Sequence, residues 1–102
     1  MKVWSVTESD CEGIYNYILC STKEIAEREL FKRRDGLVET WKKQHIKLNK
    51  RYFEHAKANN IEYEESNFYT KMIENLSGDD YKKWDNFPHS CLYLNEVEII
   101  DK

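Results

Sequence analysis

The stretch Cys20-Ser-Thr-Lys-Glu-Ile-Ala-Glu-Arg-Glu-Leu-Phe-Lys-Arg-Arg-Asp-Gly36 decides the fold, because it holds both a helix start and a candidate helix stop. Ser21-Thr-Lys-Glu24 matches a capping box, in which a hydroxyl accepts from the open amides of a first turn and an acid three residues on reaches back to the cap. A first helix therefore begins near Thr22, with Ile25, Ala26, Leu30 and Phe31 as its inward positions. Asp35-Gly36 marks its stop or a kink, since glycine readily adopts the left-handed conformation that closes helices.

Upstream, residues 2–7 (Lys-Val-Trp-Ser-Val-Thr) are β-branched and aromatic and read as a strand. The polar stretch 8–13 ends in Gly13 and reads as a hairpin turn of moderate length, and residues 14–20 form the second strand. Downstream, Leu37, Trp41, His45, Leu48, Tyr52 and Ala56 recur at three- and four-residue steps. They predict a second helix of roughly 34 Å, ended by Asn59-Asn60. Residues 61–65 read as a connector or short strand. Ser66 is the expected cap of a third helix that presents Tyr69, Met72, Ile73 and Leu76 on one face. Ser77-Gly-Asp-Asp80 breaks that helix, and Asp79 or Asp80 caps a short turn carrying Tyr81 and Trp84, closed by Phe87-Pro88. Residues 91–100 are strand-like, but Leu92 and Leu94 share one face while Val97 and Ile99 take the other, which predicts a bulge near Asn95.

The expected order is β-β-α-α-α-β in a single α+β domain over residues 1–102. A small antiparallel sheet, the N-terminal hairpin plus the C-terminal strand, is covered on one face by the helical middle. The length of 102 residues suits one domain and leaves no room for two. Three glycines and one proline describe long regular elements, and 14% aromatic residues supply a core. No stretch approaches the ~20 apolar residues of a membrane helix, and the first residues lack the apolar core of a signal peptide. Three irregularly spaced cysteines argue against a disulfide framework, so the expected setting is reducing and cytoplasmic, with no membrane partner.

The net charge of −3 hides a partition. Residues 23–57 carry eleven Lys/Arg against six Asp/Glu, residues 1–22 one against three, and residues 58–102 four against ten. A basic middle between acidic ends either faces a polyanion or folds back on its own flanks. Lys43, Lys47, Lys50 and Arg51 lie at helical spacing, roughly opposite Trp41, Leu48 and Tyr52, and Arg33 and Arg34 extend the charge towards the N-terminus. On the second strand, Tyr15 and Tyr17 share one sheet face with Leu19, a surface suited to a partner or a homodimer. These eight basic and aromatic residues are the candidate partner-binding set.

Catalytic and ligand signals are sparse. The cysteines and histidines lack the paired spacing of a zinc site, so no metal or other cofactor is expected. Cys91 or Cys11 with His89 is a conceivable nucleophile–base pair, but nothing supplies an orienting third group or an oxyanion hole. Cys20 and Cys91 read better as small buried hydrophobes, and His45 and His55 as packing residues of the helix. No glycine-rich phosphate loop can be written. Glu62, Glu64, Glu65, Asp79 and Asp80 read as solvated acids or caps.

Residues 1–10, opening Met1-Lys-Val-Trp-Ser-Val-Thr7, residues 17–27, notably Cys20-Ser-Thr-Lys-Glu-Ile-Ala-Glu27, and the acidic segment 87–101 resemble a loose group of small bacterial and phage proteins. Those open with Met-Lys-Val-Trp-Val-Val-Thr or close variants and enter a helix through a Ser-Thr-Lys-Glu stretch. The resemblance covers about a third of the chain, and residues 32–86 form a longer helical middle than that group carries. It implies the α+β fold and a phage or mobile-element origin, and it implies no catalytic residues.

The expectation is a non-catalytic interaction protein, not an enzyme. Its expected role is inhibition of a host defence complex, of the anti-CRISPR kind, or of a nucleic-acid-processing protein in the host cytoplasm. The first alternative is nucleic-acid or nucleotide binding through the basic helices. The second is a small Cys/His-dependent hydrolase.

Overall fold

The computed structural model of the chain describes residues 1–10, 12–84 and 91–100. Its central element is α1 (Lys23–Ala58), a single helix of 36 residues and about 54 Å. Thr22 is the N-cap, its Oγ1 accepting from the Ile25 N–H at 3.2 Å. The cap thus sits one residue later than a box built on Ser21 requires. Glu24 stands in the first turn, where it complements the helix dipole, and does not reach back to the cap.

Gly36 does not end this helix, so the two helices expected on either side of it are one. Leu30 and Trp41 are eleven residues apart and differ by only about 20° around the helix axis. Inward positions before and after Gly36 therefore form one stripe, with Ala26, Leu30, Trp41 and Ala56 buried along it. A glycine inside a helix costs about 1 kcal/mol, less than a continuous buried stripe contributes. Ile25 lies beyond the edge of the stripe and is exposed, as is Tyr52.

The strands β1 (Lys2–Asp10), β2 (Gly13–Cys20) and β3 (Cys91–Glu98) form an antiparallel sheet in the order β2-β1-β3. The hairpin is tighter than its polar sequence suggests. Asp10 Oδ1 accepts from the Glu12 N–H at 2.8 Å, and Gly13 takes φ +128, a region that glycine enters freely. The bulge expected near Asn95 is absent, because β3 pairs with β1 without a slip from Ser9–Cys91 to Lys2–Glu98. Val97 instead lies opposite Val3 on the face away from the helix. The register shift falls between Glu8 and Ser9, where β2 carries Tyr15 as an extra residue.

After α1 the chain runs back along it to α2 (Phe68–Asn75), then to a 3₁₀ turn at Tyr81–Lys83. Asn67, not Ser66, is the α2 cap, although Ser66 Oγ still accepts from the Phe68 N–H at 3.3 Å. Asp80 Oδ1 accepts from the Lys82 N–H at the start of the 3₁₀ turn. The order is thus β-β-α-α-β, with two α-helices where three were expected. Phe87-Pro88 lies outside the described residues.

The core joins one sheet face to the helices: Val6, Cys20 and Leu92 meet Ala26, Leu30, Trp41, Leu76 and Trp84. The molecule is elongated, 69 × 26 × 17 Å. Its radius of gyration of 18.0 Å exceeds the ~13 Å of a compact domain of this length.

Two outcomes follow from this packing. A Cβ at Gly36 would meet nothing within 4 Å. Gly36→Ala should therefore raise the unfolding free energy by about 0.5–1 kcal/mol in urea titration, whereas a loss of stability would mean that the helix needs a bend there. Tyr81 donates its O–H to Glu27 Oε1 at 3.2 Å, and burial first, then this hydrogen bond and the nearby carboxylates, raises its phenol above the ordinary value. A raised folded-state pKa gives stability that is complete below pH ~10 and is lost as pH climbs through the raised value. Urea midpoints measured from pH 8 to 11 should show a steeper alkaline fall for wild type than for Tyr81→Phe.

Candidate interaction surface on the distal helix

The six basic candidates on α1 divide by position. Arg33 lies over the sheet, its Nη1 3.1 Å from Glu8 Oε2, with side chains only 18% and 11% exposed. Glu8 occupies the helix-facing side of the central strand, so its buried carboxylate requires a cation from α1. Arg33 Nε is buried without a hydrogen-bond partner among the described residues.

Arg34 ties α1 to the chain that follows α2. Its Nη1 donates to the carbonyls of Leu76 at 2.9 Å and Gly78 at 2.8 Å, and its Nε donates to Asp35 Oδ1 at 2.7 Å. Asp79 lies 3.7 Å from Nη2, and the guanidinium sits over the rings of Phe31 and Trp84. Both arginines thus face internal partners.

Lys43, Lys47, Lys50 and Arg51 are all exposed on the distal half of α1. Among the described residues, no carboxylate lies within ion-pair distance of any of them, nor of Lys42. Among the described residues, the acidic flanks give ion-pair partners to the proximal arginines and to none of the distal lysines.

Between those lysines stand two apolar side chains that the sequence reading passed over. Ile46 and Phe53 are 68% and 51% exposed. Seven residues apart, they share one stripe of the helix, beside the inward stripe and next to Lys50. Phe53 meets Tyr63 of the returning chain edge to face, with ring centroids 5.5 Å apart. A hollow of about 350 Å³ opens between Ile46, Phe53 and Tyr63, with His45, Asn49, Lys50 and Glu65 also lining it. A second, about 400 Å³, lies on the other side of Ile46, between Lys42 and the α2 residues Thr70, Ile73 and Glu74. Ile46 is the ridge between them.

Asn49 holds this surface in shape. It is a buried polar residue at an inward position, and the segment between α1 and α2 passes over it. Its Oδ1 accepts from the Ser66 N–H at 2.7 Å, and its Nδ2 lies 3.1 Å from the His45 carbonyl and 3.4 Å from that of Ser66. His45 Nε2 lies 3.2 Å from Glu65 Oε1 beside it. A lone Asn among Leu48, Tyr52 and Ala56 was the available sequence signal, since a buried amide must find partners.

The remaining candidates lie elsewhere. Tyr17 is half exposed on the sheet face opposite α1, at the other end of the molecule, and the side chain of Tyr15 falls outside what the structure describes. Cys11 and His89 also lie outside the described residues. Cys20 is a free, buried thiol within the core. Among the described residues, no group of three or more His, Cys, Asp or Glu could hold a metal ion, and no helix is long and apolar enough to cross a membrane.

No family model, curated protein or solved structure matches the chain. The arrangement itself is therefore the guide to function: an apolar ridge between two hollows, edged by Lys42 and Lys50, which form no ion pair among the described residues, and by Glu65 and Glu74.

Asn49→Ala takes its acceptor from the half-buried Ser66 amide, and should lower stability by about 0.5–1.5 kcal/mol. Amide exchange should quicken first at Ser66 and its neighbours. Unchanged exchange there would show that the returning chain is held by other contacts.

Proposed function

We propose that this chain is a non-catalytic interaction protein that binds an acidic surface of a protein partner through the distal half of α1. The observation that carries the reading is the exposure of Ile46 and Phe53 among lysines that form no ion pair among the described residues. Apolar side chains framed by like charges suit a partner with an apolar strip and acidic flanks.

The same basic residues could meet phosphates, and one feature favours protein over nucleic acid. The segment that returns along α1 carries Glu62, Glu64 and Glu65, and all three are exposed. Glu65 lines the hollow with Lys50. A phosphate backbone laid along these lysines would approach carboxylates as well, whereas a protein can place its own cations there. The resemblance of the termini to phage proteins supplies the specific form of the reading: an inhibitor of a host defence or nucleic-acid-processing complex, acting in the host cytoplasm.

Affinity capture from nuclease-treated host lysate tests it. Wild type should retain one stoichiometric protein, and Lys43→Glu/Lys47→Glu/Lys50→Glu and Ile46→Asp should each weaken retention by about tenfold or more. Release of nucleic acid from wild type, with no stoichiometric protein, would replace this reading with direct polyanion binding. A protein retained equally by both variants would place the contact elsewhere.

A further inference from the structure

The two hollows beside Ile46 carry opposite charges on their two walls. Both share His45 and Ile46, and Lys42 edges one while Lys50 edges the other, each one turn of α1 from Ile46. The carboxylate in each comes from the facing wall, Glu65 of the returning chain for the first and Glu74 of α2 for the second. All four charged side chains are exposed. The same division continues along the chain. Residues 42–51 hold four lysines, Arg51 and no acid, whereas residues 62–74 hold four glutamates against Lys71. The apolar strip therefore runs between a basic border and an acidic one.

We propose, resting on the binding reading above, that this groove seats an amphipathic helix of the protein partner. One large apolar side chain enters each hollow, acids line the flank beside α1, and bases line the flank beside the returning chain. Spacing sets the first part. The α1 residues that line the hollows centre them about four positions, or ~6 Å, apart along the axis, which is the separation of residues i and i+4 on a second helix. Alternate residues of a strand lie about 6.6–6.8 Å apart, so hydrogen bonding separates the two occupants. The second hollow is walled by α1 and α2, whose main chains are bonded within their own helices. An extended peptide would bring N–H and C=O groups there without partners, whereas a helix satisfies its own.

Charge sets the second part. A partner helix with acids on both flanks would meet Lys42 and Lys50 on one side but Glu65 and Glu74 on the other, and like charges across an interface cost affinity. A helix with divided flanks meets opposite charge on both borders. Glu65 is held at its edge by His45, whose Nε2 lies 3.2 Å from Oε1. Ile46, 68% exposed, stands between the two inserted side chains. Because the borders differ in sign, a given partner helix fits in one direction along α1.

Selection of helix-forming peptides of about four turns from a displayed library, with the full chain as bait, tests this occupant. Enriched sequences should carry two large apolar residues four positions apart, with acids on one side of that strip and bases on the other. A synthetic peptide of that consensus should bind about tenfold or more tightly than a version acidic on both flanks, and Glu65→Lys/Glu74→Lys should invert the preference. Should Glu65→Lys loosen the returning chain through His45, Glu74→Lys alone should shift the preference in the same direction. Ile46→Trp crowds both hollows while keeping the surface apolar, and should weaken the consensus peptide about tenfold or more. Circular dichroism checks that these variants of exposed residues fold. Binding kept or improved by Ile46→Trp, or a library that yields no helical sequence, would overturn the proposal. Enrichment of peptides acidic on both flanks would also overturn it, yet leave the acidic-surface reading standing. A consensus peptide retained in full by Lys42→Glu/Lys50→Glu would remove both.

Discussion

A helix of about 54 Å laid on strands of about 30 Å overhangs its sheet by nearly half its length, and that mismatch governs the molecule. The first turns of α1 have the sheet beneath them, and there Ala26 and Leu30 are fully buried. The distal turns have no sheet. The chain covers them by returning along the helix and placing α2 against it, but nine residues of connector and eight of helix are too few to complete the task. Ile46, Phe53 and Tyr52 remain in solvent for that reason.

The same geometry separates charges that look alike in sequence. Arg33 and Arg34 lie where the sheet and the turn after α2 come close, so Glu8, Asp79 and two carbonyls reach them. A planar guanidinium suits those sites, since it donates several hydrogen bonds at once and stacks on the rings of Phe31 and Trp84. Lys43, Lys47 and Lys50 lie on the overhang, beyond the reach of those acids. An ammonium on a flexible stem stays hydrated there at little cost. The molecule therefore presents two unlike open surfaces: a basic, ridged one at the distal end and a neutral, flat one on the sheet.

Much of the fold was legible because its signals are local. The β-branched runs, the polar turn ending in Gly13, the hydroxyl at Thr22 and the aspartate before Tyr81 each act within a few residues. The misreadings have one origin. Gly36 and the parity change after Leu94 look like interruptions when read alone. Packing on both sides of Gly36, and of Val97 beside Val3, overrides them. Of the candidate surface, the lysines were visible by spacing. Ile46 and Phe53 were not, because a reading that seeks one apolar stripe per helix assigns Leu48 and Tyr52 to it and stops.

Alone, the sequence determined the strands, the start of α1 and the alternation of faces, since steric propensity, capping and periodicity operate over one or two turns. Only the tertiary structure decided that α1 is one helix and that, among the described residues, the proximal arginines find ion-pair partners while the distal lysines do not. It also decided that Asn49 holds the returning chain. Those outcomes depend on contacts between residues 17 to 42 positions apart, such as Asn49 with Ser66, Arg33 with Glu8 and Arg34 with Leu76. No local pattern records which distant groups a side chain will meet once the backbone has closed.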